Sequence, residues 1–562
     1  MGKNVLVVGG VACGAKVAAR LRRLDPERTI RILEKGDTLS YAACGLPFLV
    51  GGTVPELKDL ITTPVGVVRD AHFFRAVKDV EVLTGHLATR IDRAARVVTA
   101  VETATGEEKS FPYDQLVLAT GASPVLPPLP GADLPGVTPL WNPSDALSMK
   151  QALDAGSVRE AVVVGAGLVG LEAAEALVER GVKVTVVELL GHPLAALLDR
   201  DFGALMAQAL RAAGVDFRSG TRVTGFEGEK GVLSGVRVEG EVIPAQLALV
   251  AVGVRPNVQL ARDAGLEIGA LGGILVDRQG RTSDPDIFAG GDCVQTFHAL
   301  TGATVRQPMG STANRQGRVI ADNLAGLDTP FGGVLGTAVL RFGKTTAGRT
   351  GLSEEAAREA GFDPVGVTVT NADIPHFMPG SAPLVLRLLA DRSTRRLLGA
   401  QVFGPGRGDK RLDVLATACA CGATVDVLAD VDLAYAPPFS SALDVVTHGA
   451  NALRNKLDGR MDSCSPSELR ERLEEGAVLL DVRSPSERKE QGTLPYDGVV
   501  SIPLGQLASR AEELPRDREI VAFCKISVRG WDAVGILKGK GFRRISVLEG
   551  GVVGWPYGLV RE

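Results

Sequence analysis

Two cysteines in this chain stand where a thiol can do chemistry. Cys44 lies in Ser40-Tyr41-Ala42-Ala43-Cys44-Gly45-Leu46-Pro47, after a strand-like run from Thr29 to Glu34. No second cysteine follows four or five residues on, and Gly45-Leu46-Pro47 puts the thiol at a stiff bend rather than in a packed strand. A solitary cysteine is by default a core residue, so its context decides. Cys524 comes between the apolar run Ile520-Val521-Ala522-Phe523 and a helical stretch through Trp531 to Lys540. Successive backbone N–H groups curling around such a sulfur, with a helix terminus behind it, favour an anion. Lys525 and Arg529 add positive charge. Such a loop suits a thiolate or a cysteine persulfide.

Two glycine loops could hold nucleotides. Val5-Leu6-Val7-Val8 reads as a buried parallel strand. Gly9-Gly10-Val11-Ala12-Cys13-Gly14 follows, then a helix from Ala15 to Leu24, a strand from Ile30 to Leu33, and Glu34 with Lys35 at its tip. The pattern supplies a tight turn, a helix N-terminus for a pyrophosphate and a carboxylate for a ribose. Val11 replaces the middle glycine. The second copy is complete: Ala161 to Val164, Gly165-Ala166-Gly167-Leu168-Val169-Gly170, a helix from Leu171 to Arg180, a strand from Val182 to Val187, and Glu188. Glu188 would bond both ribose hydroxyls of NAD and repel the extra phosphate of NADP. NADH is therefore expected, with NADPH possible.

Three further segments fit this frame. Leu116 to Ala122, with Ala119-Thr120-Gly121, and Leu249 to Asn257, with Gly253, read as strand–turn segments crossing between two nucleotide domains. Ile287-Phe288-Ala289-Gly290-Gly291-Asp292 reads as a second flavin motif. Asp292 would bond the ribityl chain, and a helix from about Asn314 would point its N-terminus at the ring.

The bulk numbers allow this and exclude other classes. The chain has 562 residues, enough for three to five domains. Its net charge of −4 gives no basic field for nucleic acid. Met1-Gly2-Lys3-Asn4 leads straight into a strand with no signal-peptide pattern. No apolar run reaches the roughly 18 residues of a membrane helix. Seven scattered cysteines lack framework spacing, which argues for a reducing compartment. A cytoplasmic protein without a metal site is expected.

Residues 1 to about 455 resemble the flavoprotein pyridine nucleotide-disulfide oxidoreductases with two dinucleotide folds. The stretch from Ser40 to Pro47 is similar to the single-cysteine branch of coenzyme A-disulfide reductases, NADH oxidases and NADH peroxidases. The resemblance implies an α/β fold: FAD domain 1–115 plus 255–325, NAD(H) domain 116–254, and an α+β dimerisation domain at 330–455. It also implies a homodimer. Ala434-Tyr435-Ala436-Pro437-Pro438-Phe439 resembles the segment whose tyrosine, here Tyr435, reaches the partner's active site. Arg20, Arg22, Arg23, Ser40, Arg69 and Arg75 are the implied coenzyme A contacts, and the arginines would also favour a Cys44 thiolate. The sequence departs from the family at Ala43, at His376-Phe377-Met378 where a tyrosine pair is usual, and at Cys13, expected to be inert.

After a polar linker at 456–461, residues 462–562 resemble a single α/β rhodanese domain. Its marks are the helix start Ser465-Pro466-Ser467-Glu468, Asp481-Val482-Arg483, the six residues Cys524 to Arg529, and Glu549-Gly550-Gly551-Val552-Val553-Gly554-Trp555. The loop length is that associated with sulfur transfer. Together the two resemblances imply an NAD(P)H-dependent, FAD-dependent reductase of coenzyme A persulfide, polysulfide or coenzyme A disulfide. Cys44 would be the redox thiol and Cys524 the handler of sulfane sulfur. The alternative is an NADH oxidase or peroxidase carrying a sulfur-carrier or docking module.

Overall fold

The computed structural model describes residues 3–561. Met1 and Gly2, which open the N-terminal pattern, lie outside the described residues. The chain forms two compact units. One runs to Leu189 and resumes over Thr221–Val334; the other takes Leu190–Gly220 and the chain from Leu335 onward. The segment Leu190–Gly220, expected within the NAD(H) domain, thus groups with the second unit.

In the first unit, Asn4–Val8 is apolar because both its faces are covered. It pairs in parallel with Thr29–Leu33 and Gln115–Leu118. The sheet runs Ile287–Ala289, Gln115–Leu118, Asn4–Val8, Thr29–Leu33, Glu81–Leu83. The helices Cys13–Leu24 and Gly310–Leu324 add Val17, Leu21 and Ile320 to the core under it. A second parallel set joins Lys183–Val187, Glu160–Val164, Leu247–Val250 and Val137–Thr138. A ribbon of Ala122–Pro124 and Val254–Pro256 marks the crossing segments. There Thr120 Oγ1 donates to Asn257 O at 2.7 Å, and Asn257 Nδ2 returns a bond to Thr120 O at 2.9 Å.

Several boundaries differ from expectation, among them the crossover and the helix beyond Asp292. Gln115–Leu118 belongs to the first sheet, so the crossover follows Leu118 instead of falling at 115/116. The helix placed from about Asn314 begins at Gly310. Its N-cap, Met309, offers no side-chain bond, so packing sets the start and no local capping signal marks it.

The second unit contains a five-stranded antiparallel sheet in the order Ala338–Phe342, Thr345–Gly351, Leu397–Gly404, Pro383–Asp391, Pro364–Ala372. Gly408–Ala420 and Val445–Leu457 pack on it through Leu412, Leu415, Val446 and Leu453. A five-stranded parallel sheet follows, in the order Ser463–Cys464, Ile545–Leu548, Ile520–Phe523, Val478–Asp481, Val500–Ser501. Its first helix, Pro466–Glu474, has the expected capping box. Ser465 Oγ accepts from Glu468 N–H at 3.3 Å, and Glu468 Oε2 accepts from Ser465 N–H at 2.8 Å. Among the described residues no helix is long and apolar enough to cross a membrane.

Candidate active sites in the two units

Both glycine loops share one construction. Glu34 Oε2 accepts from Gly10 N–H at 2.7 Å, and Glu188 Oε2 accepts from Ala166 N–H at 2.7 Å. Each carboxylate therefore ties the strand tip to its loop. A Cβ on Gly14 would lie 1.9 Å from Gly9 O, and one on Gly170 would lie 2.1 Å from Gly165 O. The helices can approach their strands this closely only through glycine. Gly167 is different: a Cβ there meets nothing within 4 Å, so this backbone faces open space where a pyrophosphate could approach. Leu168 opens the helix Leu168–Glu179 and Val169 is part-exposed beside it. Gly121 and Gly253, at φ +66° and +115°, also border open space. Val11 and Ala12 fill the first loop, where Lys35 is exposed. Burial lifts the Asp292 carboxyl to about 6, against the opposing charge of Arg306. A largely desolvated carboxyl beyond Ile287–Ala289, with the glycine-lined cradle, fits the ribityl chain and pyrophosphate of a flavin.

Cys44 is exposed and lies in a single turn, Ala43–Gly45, that runs into the helix Leu46–Gly51. Ser40, at φ +46°, bonds from its N–H to Gly10 O at 3.0 Å and so joins this segment to the first loop. Gly51 packs against Ala176 of Leu168–Glu179; a Cβ there would sit 3.3 Å from it. Opposite, Gly310 opens its helix so close to Cys44 that a Cβ would lie 3.9 Å from Sγ. The thiol thus stands between the two nucleotide cradles.

Its electrostatics differ from expectation. Although Cys44 is open to solvent, partial desolvation by the protein around it, then the charges of Glu172 and Asp292, raise its pKa, while its own backbone N–H works the other way. Carboxylates, not arginines, are the charges that act on this sulfur. Arg20 pairs with Asp322 at 2.8 Å. Arg22 bonds Pro26 O and Asp79 O at 2.6 Å each, and Arg69 bonds Leu60 O at 3.2 Å. Arg23 and Arg75 are exposed. Glu172 was not anticipated. Burial, with help from Glu175, lifts it to about 7. Its signal is a pair of acidic residues, Glu172 and Glu175, set among the apolar residues of the helix Leu168–Glu179. Cys13 lies buried in the core; a Cβ on Gly290 would meet its sulfur at 2.9 Å, and desolvation drives its pKa up. Packing accounts for it.

In the second unit, Cys524 follows Ile520–Phe523 and is fully buried. Ser527, at φ +75°, turns the loop into the helix Val528–Gly539, and its Oγ donates to Leu548 O at 2.9 Å. Arg529 forks onto Glu487 at 2.6 and 2.8 Å. That pairing and the Cys524 sulfur both stabilise its charge. Lys525 stays exposed at the mouth. Asp481 and Arg483 form a wholly buried ion pair, with the guanidinium 5.5 Å from the Phe523 ring centre. They form a buried support behind Phe523 and the loop that follows it.

Two loop segments beside the antiparallel sheet are also held together, by Arg411 of the helix Gly408–Ala420. Arg411 bonds Asp444 at 2.7 Å and Asp373 O at 2.6 Å, and Ser440 Oγ donates to Asp444 at 2.7 Å. Just beyond these anchors Phe377, Tyr435, Phe439 and Leu443 stand more than half exposed, at 65%, 55%, 56% and 54%.

Comparison with known proteins agrees with this geometry. Residues 3–316 match the pyridine nucleotide-disulphide oxidoreductase family, 337–446 its dimerisation domain, and 465–556 the rhodanese-like domain. The chain is 34% identical over 456 residues to the NAD(P)H sulfur oxidoreductase (CoA-dependent) of Pyrococcus furiosus, covering 80% of this chain and 99% of that protein. It is similar in structure to an NAD-dependent persulfide reductase from A. fulgidus: TM-score 0.94, 41% identity, 98% of this chain and 100% of the other. Reduced Bacillus anthracis CoADR-RHD gives TM-score 0.92 at 34% identity, covering 99% and 98%. With its two glycine cradles, its dimerisation domain and its added cysteine loop, the chain belongs to the pyridine nucleotide-disulphide oxidoreductase family and carries a C-terminal rhodanese-like domain.

Proposed function

We propose that this protein uses NAD(P)H, with NADH preferred, to reduce coenzyme A persulfide, polysulfide or coenzyme A disulfide at Cys44, and that Cys524 carries sulfane sulfur. The observation that carries the reading is the combination of one exposed thiol between two nucleotide cradles with a complete Cys524 loop. An oxidase or peroxidase has no evident use for the second. The relatives named above for sulfur and persulfide reduction support the same choice.

The bound flavin supplies the conversion of a nicotinamide hydride into an electron pair that sulfur can accept. The Cys44 thiolate attacks the inner sulfur of a persulfide, RSSH, forming a Cys44–S–S–R bond and releasing hydrosulfide. Two electrons and a proton then cleave that bond, returning the thiolate and RSH. The sum is RSSH + NADH + H⁺ → RSH + H₂S + NAD⁺. Covalent capture divides one difficult step into two. Glu172 can hold a proton near neutrality within electrostatic reach of Cys44. Asp292 and the first glycine loop hold the flavin; Glu188 and Gly165–Gly170 hold the nicotinamide dinucleotide. Arg23 and Arg75, exposed, are the available contacts for coenzyme A phosphates.

A second copy of the chain would cover the exposed apolar side chains near Tyr435, as a homodimer, and present Tyr435 to the partner's site. The test is NADH oxidation under argon with coenzyme A persulfide. Turnover lost in Cys44→Ser supports the reading; brisk turnover on oxygen with none on persulfide overturns it.

A further inference from the structure

The turn beside the Cys524 loop is fastened to the antiparallel sheet by a buried carboxylate, Glu549. Glu549 follows the strand Ile545–Leu548 and is 2% exposed. Its Oε1 accepts from Lys456 Nζ at 2.8 Å and from Ser463 Oγ at 2.8 Å. Its Oε2 accepts from Thr368 N–H at 2.7 Å, with Arg387 at 3.9 Å. Burial pushes this carboxyl up, but Lys456 and Arg387 outweigh that and hold it below the usual range. Lys456 lies in the helix Val445–Leu457, and Thr368 and Arg387 lie in adjacent strands of the antiparallel sheet. Three of the four partners are thus outside the rhodanese sheet.

The next residues touch Cys524. Gly550 N–H donates to Thr368 O at 3.1 Å, and Thr370 Oγ1 donates to Gly550 O at 2.9 Å. Gly550 and Gly551 both take left-handed φ, +75° and +59°. A Cβ on Gly551 would lie 2.6 Å from Cys524 O and 2.7 Å from Lys525 O. Val552 and Val553 then donate to those same carbonyls at 3.0 and 3.1 Å. One turn is therefore bonded on one side to the strand Pro364–Ala372 and on the other to the cysteine loop.

We propose that Glu549 is a positioning residue for sulfur transfer: anchored to Lys456 and Thr368, it fixes the Gly550–Val553 turn that holds the Cys524 loop in its reactive shape. This rests on the reading of Cys524 as a sulfur carrier. In that reaction the Cys524 thiolate takes the outer sulfur of thiosulfate, releasing sulfite. An acceptor such as cyanide then takes that sulfur, leaving as thiocyanate and restoring the thiolate.

The experiment uses the full FAD-loaded chain, with thiosulfate and cyanide as probes. Glu549→Gln is expected to lower sulfurtransferase kcat about tenfold, less than the roughly 100-fold that a 1 Å misplacement can cost. Thiosulfate KM should stay within about twofold, and NADH-dependent reduction of coenzyme A disulfide should not change. Lys456→Met, outside the rhodanese sheet, should act in the same direction. Alkylation of Cys524 by iodoacetamide should change rate in both. Thr370→Val removes only the bond to Gly550 O and should lower kcat about two- to threefold; it decides the matter if the charge variants do not fold. Folded variants with wild-type kcat and alkylation rate overturn the positioning role alone. A wild-type chain that transfers no sulfur overturns the reading of Cys524 and the positioning role with it.

Discussion

Asp481 and Arg483 meet in a buried ion pair, Oδ2 to Nη2 at 2.6 Å, with both side chains at 0% exposure. Arg483 also bonds Gly492 O at 3.0 Å and lies over Phe523, the residue before Cys524. The Asp-Val-Arg signature is therefore a buried support behind Phe523 and the Cys524 loop that follows it. Removing one partner leaves a buried charge uncompensated, which costs about 3–5 kcal/mol. Arg483→Met is expected to lower the unfolding free energy of the rhodanese-like domain by that much, read from sulfurtransferase loss across a urea series. NADH-dependent activity at Cys44 should survive. An unfolding free energy unchanged within about 1 kcal/mol contradicts the account.

Glu188 governs cofactor choice in this account. Its carboxylate stands at the tip of Lys183–Val187 and bonds the loop at Ala166 N–H. Glu188→Ala should narrow the NADH-over-NADPH preference in kcat/KM by about tenfold, equivalent to ~1.4 kcal/mol. Steady-state kinetics with both cofactors measures it. An unaltered ratio would place the discrimination elsewhere.

Glu172 makes the pH behaviour of Cys44 testable. Its pKa is raised from 4.5 to about 7, so below that pH it is neutral and above it repels a thiolate at Cys44. Glu172→Gln is neutral throughout. Alkylation of Cys44 in the variant should match wild type below about pH 7 and become faster above it. The sign follows for stability: a carboxyl with a raised folded pKa favours folding most below its unfolded value. That contribution is lost as pH rises from 4.5 through about 7. Equal alkylation rates at pH 8 would remove Glu172 from the account.

The parts legible in the sequence were those fixed by local geometry. Gly14 and Gly170 must be glycine because a Cβ would strike the loop carbonyl, so each cradle is written within a few residues. The capping box at Ser465 and Glu468 is equally local. The start of Gly310–Leu324 was missed by several residues because Met309 gives no capping signal. In the sequence Glu549 reads only as part of a closing motif, since its anchor Thr368 lies 181 residues away. The arginines of Cys13–Leu24 read as a phosphate-binding set, but Arg20 is engaged by Asp322, 302 residues on. The carboxylates around Cys44 became visible only when separate segments were brought together.

The central claim is tested most directly by the products of anaerobic turnover. With coenzyme A persulfide as sole oxidant, the account predicts one hydrosulfide and one coenzyme A thiol released per NADH consumed, and no turnover in Cys44→Ser. NADH consumption that yields no hydrosulfide, or that persists undiminished in Cys44→Ser, would contradict it.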